Sequence, residues 1–192
     1  MMYTKHMKSY TINLPSRTDR ILEMRIPQAL SDTNEIFEAT NGSIFSDFGS
    51  KRMRGHIGCW DSHRRLMLHI IDAGNGQTLV LEDDCDFTTE RKEVFEMYLK
   101  ELPEDWDLLY LGGVNQDAPE SFSEHLDYAR NILQTHAYIV RDKFIPILLQ
   151  TLIDNQWKVD IVFSKAIKEG KCFICNPPIA VQRNSQSDVS GC

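Results

Sequence analysis

Residues 78–81, Thr-Leu-Val-Leu, form an apolar run that stops abruptly at Glu82-Asp83-Asp84. A strand with one wet face alternates apolar and polar side chains. A short continuous run without that alternation predicts a strand covered on both faces, as at the centre of a parallel or mixed sheet. The covering helices are legible on either side. Upstream, Trp60, Arg64, Met67, Leu68 and Ile71 recur at helical spacing from Gly58, and Gly74-Asn75-Gly76 supplies a left-handed stop. Downstream, Val94, Phe95, Tyr98, Leu99 and Leu102 share one helical face behind a cap at Thr88 or Thr89. Residues 107–111 repeat the buried-strand pattern before Gly112-Gly113. This alternation of strand and helix predicts an α/β layered fold.

The rest of the chain extends the pattern. A strand is expected over 10–14, a helix over 17–30, a short strand over 36–39 and a polar, basic loop over 43–55. Later come a strand over 134–140, helices over 144–153 and 160–167, and a last strand over 179–182. No repeat or linker divides the chain, and 192 residues fit a single compact domain over 1–192. A net charge of −7 speaks against nucleic acid as a partner, because a sequence-independent grip on phosphates needs a cationic surface. The first ten residues hold no apolar run of signal-peptide type, so a cytoplasmic location is expected. No segment is apolar for long enough to span a bilayer, and any membrane association is expected to be peripheral, through the acceptor. Five cysteines, an odd count, fit a reducing compartment better than a disulfide framework. Cys172-x-x-Cys175 lacks the second ligand pair of a zinc site and reads as a strand running into the Asn176-Pro177-Pro178 turn.

In open α/β sheets ligands bind beyond the carboxyl ends of strands, which is where Glu82, Asp83 and Asp84 stand. Adjacent carboxylates repel by roughly 1–4 kcal/mol a few ångströms apart, and a hard divalent cation relieves that repulsion while leaving positions for phosphate oxygens. The alternative is a solvated acidic turn. Three further groups bear on the choice. Arg17 and Arg20 lie three residues apart, where they could meet a diphosphate or merely open a solvated helix. Gly55-His56-Ile57-Gly58-Cys59-Trp60-Asp61-Ser62-His63 is expected to open a helix whose free N–H groups would favour an anion. His136, inside a buried-looking strand, is either a core histidine or a residue that orients the acidic site.

Together these pieces resemble the family-25 glycosyltransferases, which include lipooligosaccharide β-galactosyltransferases and collagen hydroxylysine galactosyltransferases. The resemblance rests on Tyr10-Thr11-Ile12-Asn13-Leu14 with Arg17 and Arg20, on Ala39-Thr40-Asn41-Gly42, on Gly55-His56-Ile57-Gly58-Cys59-Trp60 with Ser62-His63, and on Val80-Leu81-Glu82-Asp83-Asp84. Trp106-Asp107-Leu108-Leu109-Tyr110-Leu111-Gly112, Thr135-His136-Ala137-Tyr138, Val159-Asp160 and Pro177-Pro178-Ile179-Ala180-Val181-Gln182 with Ser187-Asp188 follow in order. Asp61 departs from the pattern, standing where a hydrophobic residue is usual.

The resemblance implies a GT-A-type fold, a Rossmann-like mixed sheet flanked by helices, and an inverting transfer of a sugar, commonly galactose, from a UDP-sugar donor to a glycan or glycoconjugate acceptor such as a lipopolysaccharide precursor. It implies Mn²⁺ (or Mg²⁺) on Asp84, with Glu82 or Asp83 on the ribose or on metal-bound water; Glu82 and, from its place in the strand, His136 are the further candidate metal residues. Donor binding would fall to Asn13, Arg17, Arg20, Thr40, Gly58, Ser62, His63, Glu82 and Asp83. An inverting displacement also needs a base for the incoming hydroxyl; Asp160 is the first candidate, with an N-cap role as its alternative, and Asp188 the second. Two rival classes stay open. One is metal-dependent phosphoester hydrolysis through Asp83, Asp84 and Asp86; the other is a non-catalytic module that binds sugar nucleotide or glycan.

Overall fold

A computed structural model describes residues 7–31 and 33–183. The chain runs β1 (Lys8–Asn13), α1 (Thr18–Glu23), β2 (Thr33–Glu38), α2 (Lys51–Ala73), β3 (Gln77–Glu82), β4 (Cys85–Phe87), α3 (Lys92–Glu101) and β5 (Leu108–Tyr110). It continues through β6 (Val114–Asn115), β7 (Leu126–Tyr128), β8 (Ile132–Leu133), β9 (Ala137–Arg141), α4 (Ile145–Asp154), α5 (Val159–Ala166), β10 (Cys172–Cys175) and β11 (Ala180–Gln182). Seven strands form one sheet in the order β2-β1-β3-β9-β5-β10-β7. β1 is parallel to both β2 and β3, whereas β9 runs antiparallel to β3 and β5, so the sheet is mixed.

The apolar run at the chain's centre lies inside this sheet, as its lack of alternation predicts. Leu79, Val80 and Leu81 are fully buried. Successive side chains point to opposite faces. Val80 packs with Tyr10, Tyr138, Ile57, Met67 and Phe163 under α2, α4 and α5. Leu79 and Leu81 pack with Phe95 and Tyr98 of α3 on the other face. The same alternation decides the C-x-x-C pair. Cys172 belongs to the first cluster and Cys175 to the second, so the two thiols face opposite sides of the sheet and cannot share an ion. Among the described residues no helix is long and apolar enough to cross a membrane.

Three boundaries differ from expectation. The helix expected over 17–30 ends at Glu23, because Met24 is already extended (ψ 137°) and Pro27 follows. α3 begins at Lys92 rather than beside Thr88 or Thr89; the preceding β4 pairs antiparallel with β11, and Thr89 Oγ1 accepts from the Arg91 N–H instead. The largest difference concerns residues 43–55. Only Gly42–Ile44 forms a 3₁₀ turn, and α2 starts at Lys51, capped by Ser50, whose Oγ accepts from the Met53 N–H. Gly55 and Gly58 are therefore interior to a helix. Gly58 is there for close packing, since a Cβ on it would lie 2.7 Å from Thr40 O and 2.8 Å from Gly42 N.

Helix propensity alone would make Gly58→Ala stabilising by about 1 kcal/mol. The contact with immovable backbone reverses that sign. The substitution should lower stability by roughly 1–3 kcal/mol, read as a fall in urea midpoint at unchanged m-value.

Candidate functional site

A cavity of about 650 Å³ opens beyond the ends of β1, β2 and β3. Its floor is the acidic tip. Glu82 is the last residue of β3, and its N–H donates to His136 O at 2.9 Å. Its Oε1 accepts from Thr135 Oγ1 at 2.7 Å and lies 3.3 Å from His63 Nε2, while His63 Nδ1 lies 3.0 Å from Tyr138 Oη. Burial pushes the Glu82 pKa up, but the hydrogen bonds from His63 and Thr135 outweigh it and hold the carboxyl below its usual value.

The two aspartates differ. Asp83 Oδ1 is 2.5 Å from Arg20 Nη1, both side chains being buried, and burial still lifts its pKa. Asp84 Oδ2 accepts from Gln182 Nε2 at 3.0 Å and lies 3.8 Å from Arg20, but its Oδ1 is buried with no hydrogen-bond partner. Burial first, and the Glu82 charge second, raise the Asp84 pKa to about 6.

One wall is the Thr40-Asn41-Gly42 turn, clamped to α2. The Thr40 N–H donates to Ser62 Oγ at 2.8 Å, and Ser62 Oγ–H donates back to Gly58 O at 2.7 Å. Thr40 Oγ1 donates to Asp61 Oδ2 at 2.7 Å, with Asp61 also held by Arg64. The departure at Asp61 thus has a local purpose: it anchors the turn. The rim is basic. Lys51, Arg52, Arg54, His56 and Lys158 line the cavity together with Asp160. Burial and the nearby Lys158 and Arg52 charges push the His56 pKa down.

The cavity brings together Arg20, Thr40, Ser62, His63, Glu82, Asp83, Asp84 and Asp160 from the expected set. Others stand elsewhere. Arg17, the residue preceding α1, pairs with Asp19 rather than sharing a face with Arg20. Asn13 is buried, with Nδ2 donating to Leu14 O, and does not line the cavity. Gly58 supports the turn from behind, and its N–H lies within α2, so the anion-binding helix start expected there does not exist. His136 is 1% exposed and off the cavity wall, and burial pushes its pKa down against the pull of Glu82 and of a contact with the Ala180 backbone. Asp160 is the second residue of α5, whose cap is Lys158, so the N-cap role is not its own. Asp188 lies outside the described residues.

Sequence reasoning passed over Cys59 and Gln182. Cys59 could have been found, since it precedes His63 by one helical turn on the same face. Gln182 reaches Asp84 only through the β4–β11 pairing, which no local pattern announces.

The model of glycosyltransferase family 25 (LPS biosynthesis protein) matches residues 6–145. The chain is 26% identical over 136 residues to "Probable inactive glycosyltransferase 25 family member 3" of Bos taurus, covering 57% of this chain and 23% of that protein. It is 34% identical over 67 residues to procollagen galactosyltransferase 1 of Danio rerio, covering 33% of this chain and 11% of that protein. The matches therefore span less than a quarter of these relatives' length. Among solved structures, A197 from STIV superposes with a TM-score of 0.52 at 8% identity over 95% of this chain and 96% of that one, a likeness of fold alone.

The Asp84 carboxyl gives a signed expectation. Its folded pKa stands above the unfolded value, so its contribution to stability is complete below about pH 4 and is lost as pH rises through about 6. In metal-free protein at pH 8 the ionised group costs roughly 2–3 kcal/mol, about 1.4 per pKa unit. Asp84→Asn should raise the melting temperature at pH 8 and raise it much less at pH 4. Equal gains at both pH values would show that the site does not strain this carboxylate.

Proposed function

Because the chain belongs to glycosyltransferase family 25, we propose that it transfers a sugar from a nucleotide-diphosphate donor, in the first instance a UDP-hexose such as UDP-galactose, to a hydroxyl of a glycan or glycoconjugate. The procollagen galactosyltransferase names among its relatives support the sugar class. The observation that carries the reading is the buried, unpartnered Oδ1 of Asp84, a residue that lines the cavity beside Glu82 just past the end of a central strand. A buried carboxylate oxygen without a donor is costly, and a hard cation is the partner that suits it.

Asp84 and Glu82 would hold Mn²⁺ or Mg²⁺, which when bound supplies charge neutralisation to the departing diphosphate. The protein's own residues do the rest. Arg20 fixes Asp83 and adds positive charge under the tip. The clamped Thr40-Asn41-Gly42 turn offers a rigid wall for the nucleoside, with Ser62 and Gly58 holding it from behind. His63 and Thr135 keep Glu82 ionised and oriented. Asp160, which lines the same cavity, takes the proton of the acceptor hydroxyl as its oxygen attacks the anomeric carbon from the face away from the diphosphate, which inverts that centre. His136 acts beside Glu82 rather than from the cavity wall, and Asp188 is the second candidate base.

A second reading has a specific support, since one relative carries the name of a probable inactive member. In that case donor would bind and no transfer would follow. The two separate cleanly in one set of assays. A UDP-sugar at 100 times its dissociation constant should stabilise the protein by ~2.7 kcal/mol, visible in a thermal melt, and the Mn²⁺-dependent part should vanish in Asp84→Ala. Asp160→Asn should keep that donor shift and lose transfer by about 10²–10⁴-fold. Donor shift without any transfer in the unsubstituted protein would select the binding module. No shift with any nucleotide sugar would overturn the transferase reading.

A further inference from the structure

Cys59 and His63 lie one turn apart on the cavity-facing side of α2, and Glu82 meets them from the end of β3. One ligand atom from each, a thiol sulfur, an imidazole nitrogen and a carboxylate oxygen, all fall within 4.8 Å of one another. We propose that these three side chains form a second metal site of softer character, taking a zinc-class ion through Cys59 Sγ, His63 Nε2 and a Glu82 oxygen, with the fourth position open to the cavity.

The donor set argues for the ion. Thiolate and imidazole select zinc-class ions over Mg²⁺ or Mn²⁺, whereas Asp84 offers oxygen alone. The distances fit with little movement. Ligands at about 2.0–2.3 Å from a tetrahedral ion stand about 3.3–3.8 Å apart. His63 Nε2 and Glu82 Oε1 are already 3.3 Å apart, so only the Cys59 side chain must close in. The partners of the ligands are in place as well. Tyr138 Oη lies 3.0 Å from His63 Nδ1 and can accept its proton, fixing the tautomer whose Nε2 lone pair faces the ion; Thr135 Oγ1 holds Glu82. Without an ion the His63 Nε2–H donates to Glu82, so binding exchanges one tautomer for the other and releases the thiol proton to solvent. The other described cysteines are buried in the two cores and contribute to no such cluster.

The assignment stands on geometry and needs no transferase activity. Its consequence for function does rest on the reading above: an ion here takes Glu82 from the donor site, so a zinc-class ion should antagonise Mn²⁺-dependent donor binding.

Co²⁺ added to the full chain serves as the probe. The expected result is the visible absorption of tetrahedral Co²⁺ together with a near-ultraviolet thiolate charge-transfer band, displaced by Zn²⁺. Cys59→Ser, a one-atom change at a half-buried position, should abolish the charge-transfer band, and Glu82→Gln should weaken Co²⁺ affinity at least ~10-fold, given that even supporting residues cost 10–100-fold. Asp84→Asn should leave both bands intact, which separates this site from the carboxylate one. Tetrahedral thiolate bands that survive Cys59→Ser, or no bands at excess Co²⁺ in the unsubstituted protein, overturn the proposal whatever the transfer assays show.

Discussion

The Arg20–Asp83 ion pair is the contact on which the shape of the acidic tip depends. Three consecutive carboxylates at the end of one strand would splay apart or protonate if left to themselves. Each is instead held by a different partner: Glu82 by Thr135 and His63, Asp83 by Arg20, Asp84 by Gln182. Arg20 is the only one of these partners drawn from α1, a six-residue helix whose Leu22 is 75% exposed. So short a helix has little packing of its own, and the buried guanidinium ties it to the sheet. Removing one partner of such a pair leaves an uncompensated buried charge at a cost of about 3–5 kcal/mol. The tip and the position of α1 therefore stand or fall together.

α2 does a matching task on the other side. Its first turns carry Lys51, Arg52, Arg54 and His56 to the rim, its middle carries Cys59, Ser62 and His63 to the wall and floor, and Trp60, Leu66, Met67 and Ile70 seat it in the core. Trp60 Nε1–H donates to Leu152 O at 3.0 Å, which fixes the helix to α4 at the level of the cavity. α2 thus contributes to rim, wall and floor alike, while the acidic tip comes from the end of β3, and a basic rim faces an acidic floor. A phosphate-bearing ligand held with a cation would meet attraction on both sides.

Much of this was legible in the sequence. Strand β3, with its continuous apolar run, and the stop at Gly74 follow from local pattern alone. The acidic tip was legible because its position at a strand end is set by the same run. What escaped was fixed by contacts distant in sequence. Gly55 read as the end of a basic loop and Gly58 as the start of a helix; the reason a glycine stands at 58 inside one is the close approach of Thr40 and Gly42, which no window around residue 58 contains. Arg17 and Arg20 looked equivalent, yet Arg20 pairs with the buried Asp83, 63 residues away, and Arg17 with the exposed Asp19. His136 was read as a residue of the acidic site; its backbone does join Glu82, while its ring turns into the packing beside Gly112.

The carboxylates also divide their labour in a way that residue type alone does not reveal. Glu82 is held below its usual pKa by His63 and Thr135, both of which meet Oε1, so it carries a standing negative charge. Asp84 is the reverse, raised to about 6 and carrying an oxygen without a partner. One carries a standing negative charge and the other a buried oxygen that no described donor meets. A fold shared between relatives with active and inactive names cannot by itself separate transfer from mere binding. Asp84 and Asp160 line one cavity, so the proposed metal residue and the proposed base would meet the same bound ligand.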